Sequence, residues 1–102
     1  MRIIKPARLH EFASRHATAA ASLERWLEVV RAARWRSLAD VRLIFRDADV
    51  VRVGSGRPVV IFNIAGNRYR LIAAIHYNLG KVFVLRFLTH AEYSKEHWKD
   101  GL

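Results

Sequence analysis

His90, Tyr93 and Lys95 follow one another at spacings of three and two, and Arg68, Arg70 and Arg86 precede them. Guanidinium, imidazole, phenol and ammonium are together what metal-free cleavage of RNA needs. The 2′-OH of a ribose attacks the adjacent phosphate, so its proton must leave. Charge grows on the phosphate and must be stabilised, and the 5′-oxygen leaves best when protonated. Arg binds phosphate in a bidentate fork and stabilises the developing charge. His exchanges a proton near neutral pH. Tyr stacks on a base or takes part in proton transfer, and Lys holds a phosphate as a point charge.

Taken singly, these residues have blander readings. A lone His at a strand end is usually structural or merely exposed. Arg at alternate strand positions is what the solvated face of a half-buried sheet looks like. His10, His16 and His97 have no partner pattern, and His90-Ala91-Glu92 with His97 forms no metal motif. Asp and Glu are too scattered for a two-metal nuclease. The absence of Cys excludes disulfides, zinc–thiolate sites and Cys nucleophiles. Gly54-Ser55-Gly56 lacks the spacing of a phosphate-binding loop. No metal and no cofactor is expected.

Charge points the same way as the side-chain chemistry. Eighteen Lys and Arg, fourteen of them Arg, stand against nine Asp and Glu, for a net charge of +9. Such a balance favours polyanions, anionic membrane surfaces or an acidic protein partner, with a solvated basic surface as the plain alternative. No apolar stretch approaches the roughly 18 residues of a membrane span. Met1–Pro6 is too short for a signal peptide. A cytoplasmic location without membrane contact is expected.

One domain over residues 1–102 must position these groups, with 52% hydrophobic residues to build its core. Arg2 to Lys5 reads as a short opening strand, and Pro6 suits the first turn of a helix running to about His16. From Thr18 to Arg34, Leu23, Trp26, Leu27 and Val30 share one helix face, with Glu24, Arg25, Glu28 and Arg31 on the other. A third helix starts after Ser37, where Ser37 and Asp40 have the spacing of a capping box. Trp26 and Trp35 read as core. Val50–Val53 is a short strand. The C-terminal end alone is open to disorder.

Pro58–Ile64, Arg68–Tyr77 and Val82–Leu88 read as three consecutive antiparallel strands, with Gly66-Asn67 as a two-residue turn between the first two. That turn pairs Ile64 with Tyr69 and Asn63 with Arg70. Two-residue alternation then puts Phe62, Tyr69, Leu71, Ile75, Phe83, Leu85 and Phe87 on the face the helices cover. Asn63, Arg68, Arg70, Arg86 and His90 collect on the opposite face. A one-residue slip of the last strand would bury Arg86. His76 shares the Arg face but lies toward the far end of the hairpin, as a peripheral RNA contact. Asn63 and Asn67 serve the turn first, with RNA contact as Asn63's other role.

Two stretches carry a resemblance. Phe62-Asn63-Ile64-Ala65-Gly66-Asn67-Arg68-Tyr69-Arg70-Leu71-Ile72 and Thr89-His90-Ala91-Glu92-Tyr93-Ser94-Lys95 resemble the signature stretches of HigB-type toxins, in the RelE/ParE-like superfamily of toxin–antitoxin systems. Phe12, Trp26 and Trp35 stand where that family carries similar aromatics. The resemblance implies an α+β fold with N-terminal helices on one face of a small antiparallel sheet. It implies an mRNA interferase that cuts transcripts on translating ribosomes without a metal. It also implies a HigA-type helix-turn-helix antitoxin in a hetero-oligomeric complex. Arg68 and Arg70 fall in the first motif, where substrate-phosphate contacts are the implied role. His90, Tyr93 and Lys95 fall in the second, where acid–base and substrate-holding roles are implied. Arg86 rests on strand pairing alone.

Two other functions fit the same sequence. A toxin on this fold could act on a protein, as the ParE-like branch acts on gyrase, with the Arg face as an interaction surface. A non-catalytic RNA-binding module would use the basic face for salt-dependent binding.

Overall fold

The computed structural model describes residues 1–102. Along the chain run β1 (Arg2–Ile4), α1 (Ala7–Arg15), α2 (Ala20–Ala32), α3 (Leu38–Ile44), β2 (Asp49–Arg52), β3 (Pro58–Ile64), β4 (Tyr69–His76), β5 (Lys81–Thr89) and α4 (His90–Ser94). Single 3₁₀ turns occupy Ala17–Ala19, Tyr77–Leu79 and His97–Gly101. The fold is α+β, and the strands form one sheet in the order β1-β5-β4-β3-β2.

The helices form where apolar residues recur every three or four positions. Leu23, Trp26, Leu27 and Val30 of α2 are all buried, while Glu24, Arg25, Glu28 and Arg31 face solvent. Leu9 of α1 is buried, with Phe12 and Ala13 packed beside it. Trp26, Trp35 and Phe45 surround Phe62, with ring centroids 5.4, 6.3 and 5.1 Å away. Each such aromatic stabilises the fold by about 1.5–3 kcal/mol through burial. The expected capping box at Ser37 does not form. Ser37 makes no side-chain cap, and the Asp40 carboxylate instead accepts from the Arg36 backbone N–H at 2.8 Å.

Most of the sheet is antiparallel, but β1 runs parallel to β5, with Ile3 opposite Val82. The sheet is therefore mixed, not wholly antiparallel. β1 and β5 lie at opposite ends of the chain, so no tight turn dictates their relative direction.

The β3–β4 register is as expected, with Ile64 opposite Tyr69 and Asn63 opposite Arg70. The turn between them differs. Four residues, Ala65 to Arg68, lie outside the ladder, not two. Ala65 and Gly66 both take left-handed backbone, at φ 53° and 69°. Arg68 thus belongs to the loop and does not alternate with Arg70.

The β4–β5 pairing contains a bulge that alternation alone does not foresee. Ile72 pairs with Arg86 and Ala73 with Val84, leaving Leu85 unpaired. A bulge inserts one residue and shifts the alternation of everything beyond it. Phe87 faces the helices as expected, and Arg86 stays outside. Before the bulge the faces are exchanged: Val82 and Val84 join the helix-side core, whereas Leu85 packs on the other side. Phe83 leaves the helix side as well, lying opposite Ala74 and against His76.

That other side is not a bare polar surface. Val53, Val59, Ile61, Ile72 and Trp98 form a second small core, with Leu85, Leu88, Tyr93 and Leu102 packed around it. The C-terminal turn closes over it, and Gly54 N–H donates to the Lys99 carbonyl at 2.9 Å. The expectation of a disordered C-terminus is overturned by Trp98, which is buried against two sheet strands.

Candidate functional site

The candidate residues gather where the β3–β4 loop, β5 and α4 meet. Arg70 is half-buried and firmly placed. Its Nη1 donates to the carbonyls of Asn67 at 3.2 Å and Tyr69 at 3.1 Å, and its Nη2 donates to Asn67 Oδ1. Its guanidinium carbon lies 5.6 Å from the centre of the Tyr93 ring. No carboxylate pairs with it, since the two ion pairs of the structure are Arg42–Asp49 and Lys99–Glu96. A guanidinium held by carbonyls and a π-face keeps its full charge for an anion.

Arg86 lies on the same face of the sheet. It pairs with Ile72, two residues from Arg70 along β4, which sets the two arginines diagonally about 7–8 Å apart. Arg86 Nη1 donates at 2.8 Å to the carbonyl of Leu85, the residue that the bulge leaves without a partner on β4. Its Nη2 lies beside Gly101, so the C-terminal turn borders this arginine.

Tyr93 is held from below by Trp98. The rings stack at 5.3 Å and 20°, and Trp98 Nε1 donates to the Tyr93 carbonyl at 3.1 Å. Burial pushes the Tyr93 phenol above the ordinary tyrosine value, and the Asp49 carboxylate adds to this, while Lys99 and Arg70 pull it back. The phenol is therefore protonated at neutral pH and can donate a proton.

His90 opens α4, and that helix has a true capping box. Thr89 Oγ1 accepts from Glu92 N–H at 3.2 Å, and Glu92 Oε1 accepts from Thr89 N–H at 2.9 Å. Thr89-x-x-Glu92 is the sequence signature of that box, and it fixes where the helix begins. His90 N–H donates to the Arg68 carbonyl at 2.9 Å, tying α4 to the β3–β4 loop. Ser94 Oγ donates to the His90 carbonyl at 2.9 Å and lies 3.3 Å from Nδ1. Either tautomer satisfies the contact with Ser94, and the one with its proton on Nδ1 leaves Nε2 as an acceptor.

The other candidates divide. Asn63 is exposed beside Arg70 on the neighbouring strand, and it lines a groove of about 300 Å³ with Ile44, Phe45 and Arg46. Arg68 is exposed in the loop next to His90. Lys95 is exposed at the C-terminal cap of α4. His76 does not join them. It lies six residues from Arg70 along β4, about 20 Å away, against Phe83. Trp98 is the residue that sequence reasoning passed over. It stands in a polar tail with no apolar periodicity, and its partners, Ile61 and Ile72, are far away in sequence.

No group of His, Cys, Asp or Glu is arranged to hold a metal ion. No helix is long and apolar enough to cross a membrane. A family described as HigB_toxin, the RelE-like toxic component of a toxin–antitoxin system, matches residues 19–96. That span contains all eight candidate residues and stops two short of Trp98. No curated protein matches the chain.

Proposed function

This chain belongs to the HigB family of RelE-like toxins of toxin–antitoxin systems, and from that premise we propose that it is a metal-independent endoribonuclease that cleaves mRNA on translating ribosomes. The observation that carries this reading is Arg70, a fixed and unpaired guanidinium over the Tyr93 ring. In the proposed reaction His90 Nε2 takes the proton of the ribose 2′-OH. The O2′–P bond forms and the P–O5′ bond breaks. Arg70 and Arg86 stabilise the charge on the phosphate, with Arg68 and Lys95 holding the flanking backbone. Tyr93 gives its proton to the departing 5′-oxygen and regains one from the imidazolium through solvent. The products are a 2′,3′-cyclic phosphate and a 5′-OH end.

The neutralising partner is proposed to be a HigA-type helix-turn-helix antitoxin in a hetero-oligomeric complex, acting in the cytoplasm. Asn63 and His76 are proposed as substrate contacts outside the reacting centre. The test is induction in cells. Wild type should arrest growth, whereas a folded Arg70→Ala, His90→Ala double variant should not. Retained toxicity in that variant would remove the proposed site.

A further inference from the structure

A second arginine cluster lies at the other end of the sheet. An open cleft of about 710 Å³ is lined by Arg2, Arg31, Arg34, Arg36, Tyr77 and Leu79, among others. One carboxylate borders it, Asp40, which accepts from the Arg36 backbone N–H and acts on the Tyr77 phenol. The backbone explains the grouping. After α2 the chain turns extended at Ala33, with φ −77° and ψ 155°. Trp35 is buried between two exposed arginines, so Arg34 and Arg36 share the outward side. Arg31 lies in the last turn of α2 just before them. Arg2 comes from the edge strand β1, where Ile3 points inward. The Tyr77–Leu79 turn closes the cleft from β4, and Leu79 is 60% exposed there.

None of the four guanidiniums has an ionic partner. Four unpaired like charges around one cleft repel one another, and an exposed Leu beside them gains nothing from water. Both features are relieved by a polyanion that also presents flat or apolar groups. The length of β4 separates this cleft from Arg70, about 23 Å. A phosphate held here therefore cannot be the one being cut.

We propose that this cleft binds the phosphodiester backbone of RNA at a distance from the cleavage face, with Leu79 and Tyr77 against a base. RNA is favoured over an acidic peptide because every charged side chain of the lining is Arg, which grips phosphate in a fork and stacks on bases. The choice of polymer rests on the RNA-acting reading, but binding here does not require that the protein cut anything.

The test measures binding of a 2′-O-methylated RNA, which cannot be cleaved by 2′-OH attack, as a single strand and as a hairpin, over a range of salt. Each backbone contact contributes about 0.7 (single strand) or 0.9 (duplex) to the slope of log K against log salt. Replacing Arg2, Arg31, Arg34 and Arg36 by Gln should reduce the slope by about 3, and the pair Arg34→Gln, Arg36→Gln by about half that. A control in which Lys5, Arg15, Arg52 and Arg57 become Gln has the same charge change at exposed positions outside the cleft and away from the Asn63 groove. It should change the slope little, because separated surface charges are screened. Melting curves establish that each variant is folded. Equal loss in cleft and control variants would overturn the proposal and reduce the effect to net charge. An unchanged slope in the cleft variants would also overturn it, and reduced antitoxin binding in those same variants would then assign the cleft to an acidic protein. Arg70→Ala should lower the slope by about one contact at most, so loss of cleavage and loss of this site are read separately.

Discussion

Replacing Trp98 by Ala separates the stability of the second core from its role under the proposed catalytic face. Trp98 is 8% exposed and packs on Ile61 and Ile72, and it stacks beneath Tyr93. Removing a buried Trp costs about 3–5 kcal/mol. Here the lower end applies, because a short terminal turn can collapse partly into the space. The expected loss is about 3 kcal/mol, against a total of about 5–15 kcal/mol for a domain of this size. The variant should stay folded and melt roughly 12–24 °C lower. Trp98→Phe keeps a ring under Tyr93 and loses chiefly the indole N–H bond to the Tyr93 carbonyl, about 1 kcal/mol. Urea unfolding gives both values, and RNA cleavage by the folded variants gives the functional one. Trp98→Ala should lose cleavage at temperatures where it is still folded, and Trp98→Phe should keep most of it. A Trp98→Ala protein within about 1 kcal/mol of wild type, or one that cuts RNA normally, would refute the role of this turn in holding Tyr93.

Arg70→Ala should lower the cleavage rate about 10²–10³-fold, the usual effect of removing one group that stabilises transition-state charge, with no change of fold by circular dichroism. Thr89→Ala removes the cap of α4 and should cost about 0.5–2 kcal/mol in urea unfolding, with a loosening of His90 visible as lower amide protection in α4. The phenols of Tyr77 and Tyr93 are both raised, chiefly by burial, so the folded state prefers them protonated. Stability should be level below the ordinary tyrosine value of about 10 and fall as pH rises through the higher folded values. The Tyr77→Phe, Tyr93→Phe variant should show a flatter decline in urea midpoint over that alkaline range.

Much of this arrangement is legible in the sequence because local rules and burial agree. Leu23, Trp26, Leu27 and Val30 leave one choice of helix face. Ile64 and Tyr69, flanking the Ala65–Arg68 loop that contains Gly66-Asn67, fix the β3–β4 register, and with it the pairing of Asn63 and Arg70. In β5 the two rules part. Val82 and Val84 are as apolar as Phe83 and Leu85, so alternation cannot choose between the two sets, and the bulge at Leu85 uses both. The direction of β1 is not written in Arg2-Ile3-Ile4, because parallel and antiparallel edge strands present the same residues. Trp98 was hidden because its burial depends on strands about 26 and 37 residues away, a tertiary contact that no local period reports. Thr89-x-x-Glu92, by contrast, was there to be read as the start of α4, whereas Ser37-x-x-Asp40 has the spacing without the geometry.

The most direct test of the central claim is to map RNA 5′ ends after induction of the wild-type protein and of the Arg70→Ala, His90→Ala variant. Cleavage by 2′-OH attack predicts new 5′-OH ends within translated transcripts, appearing with growth arrest for wild type and missing for the variant. Growth arrest with intact transcripts would contradict it, and accompanying DNA damage would turn the Arg70 face into a surface for a protein target.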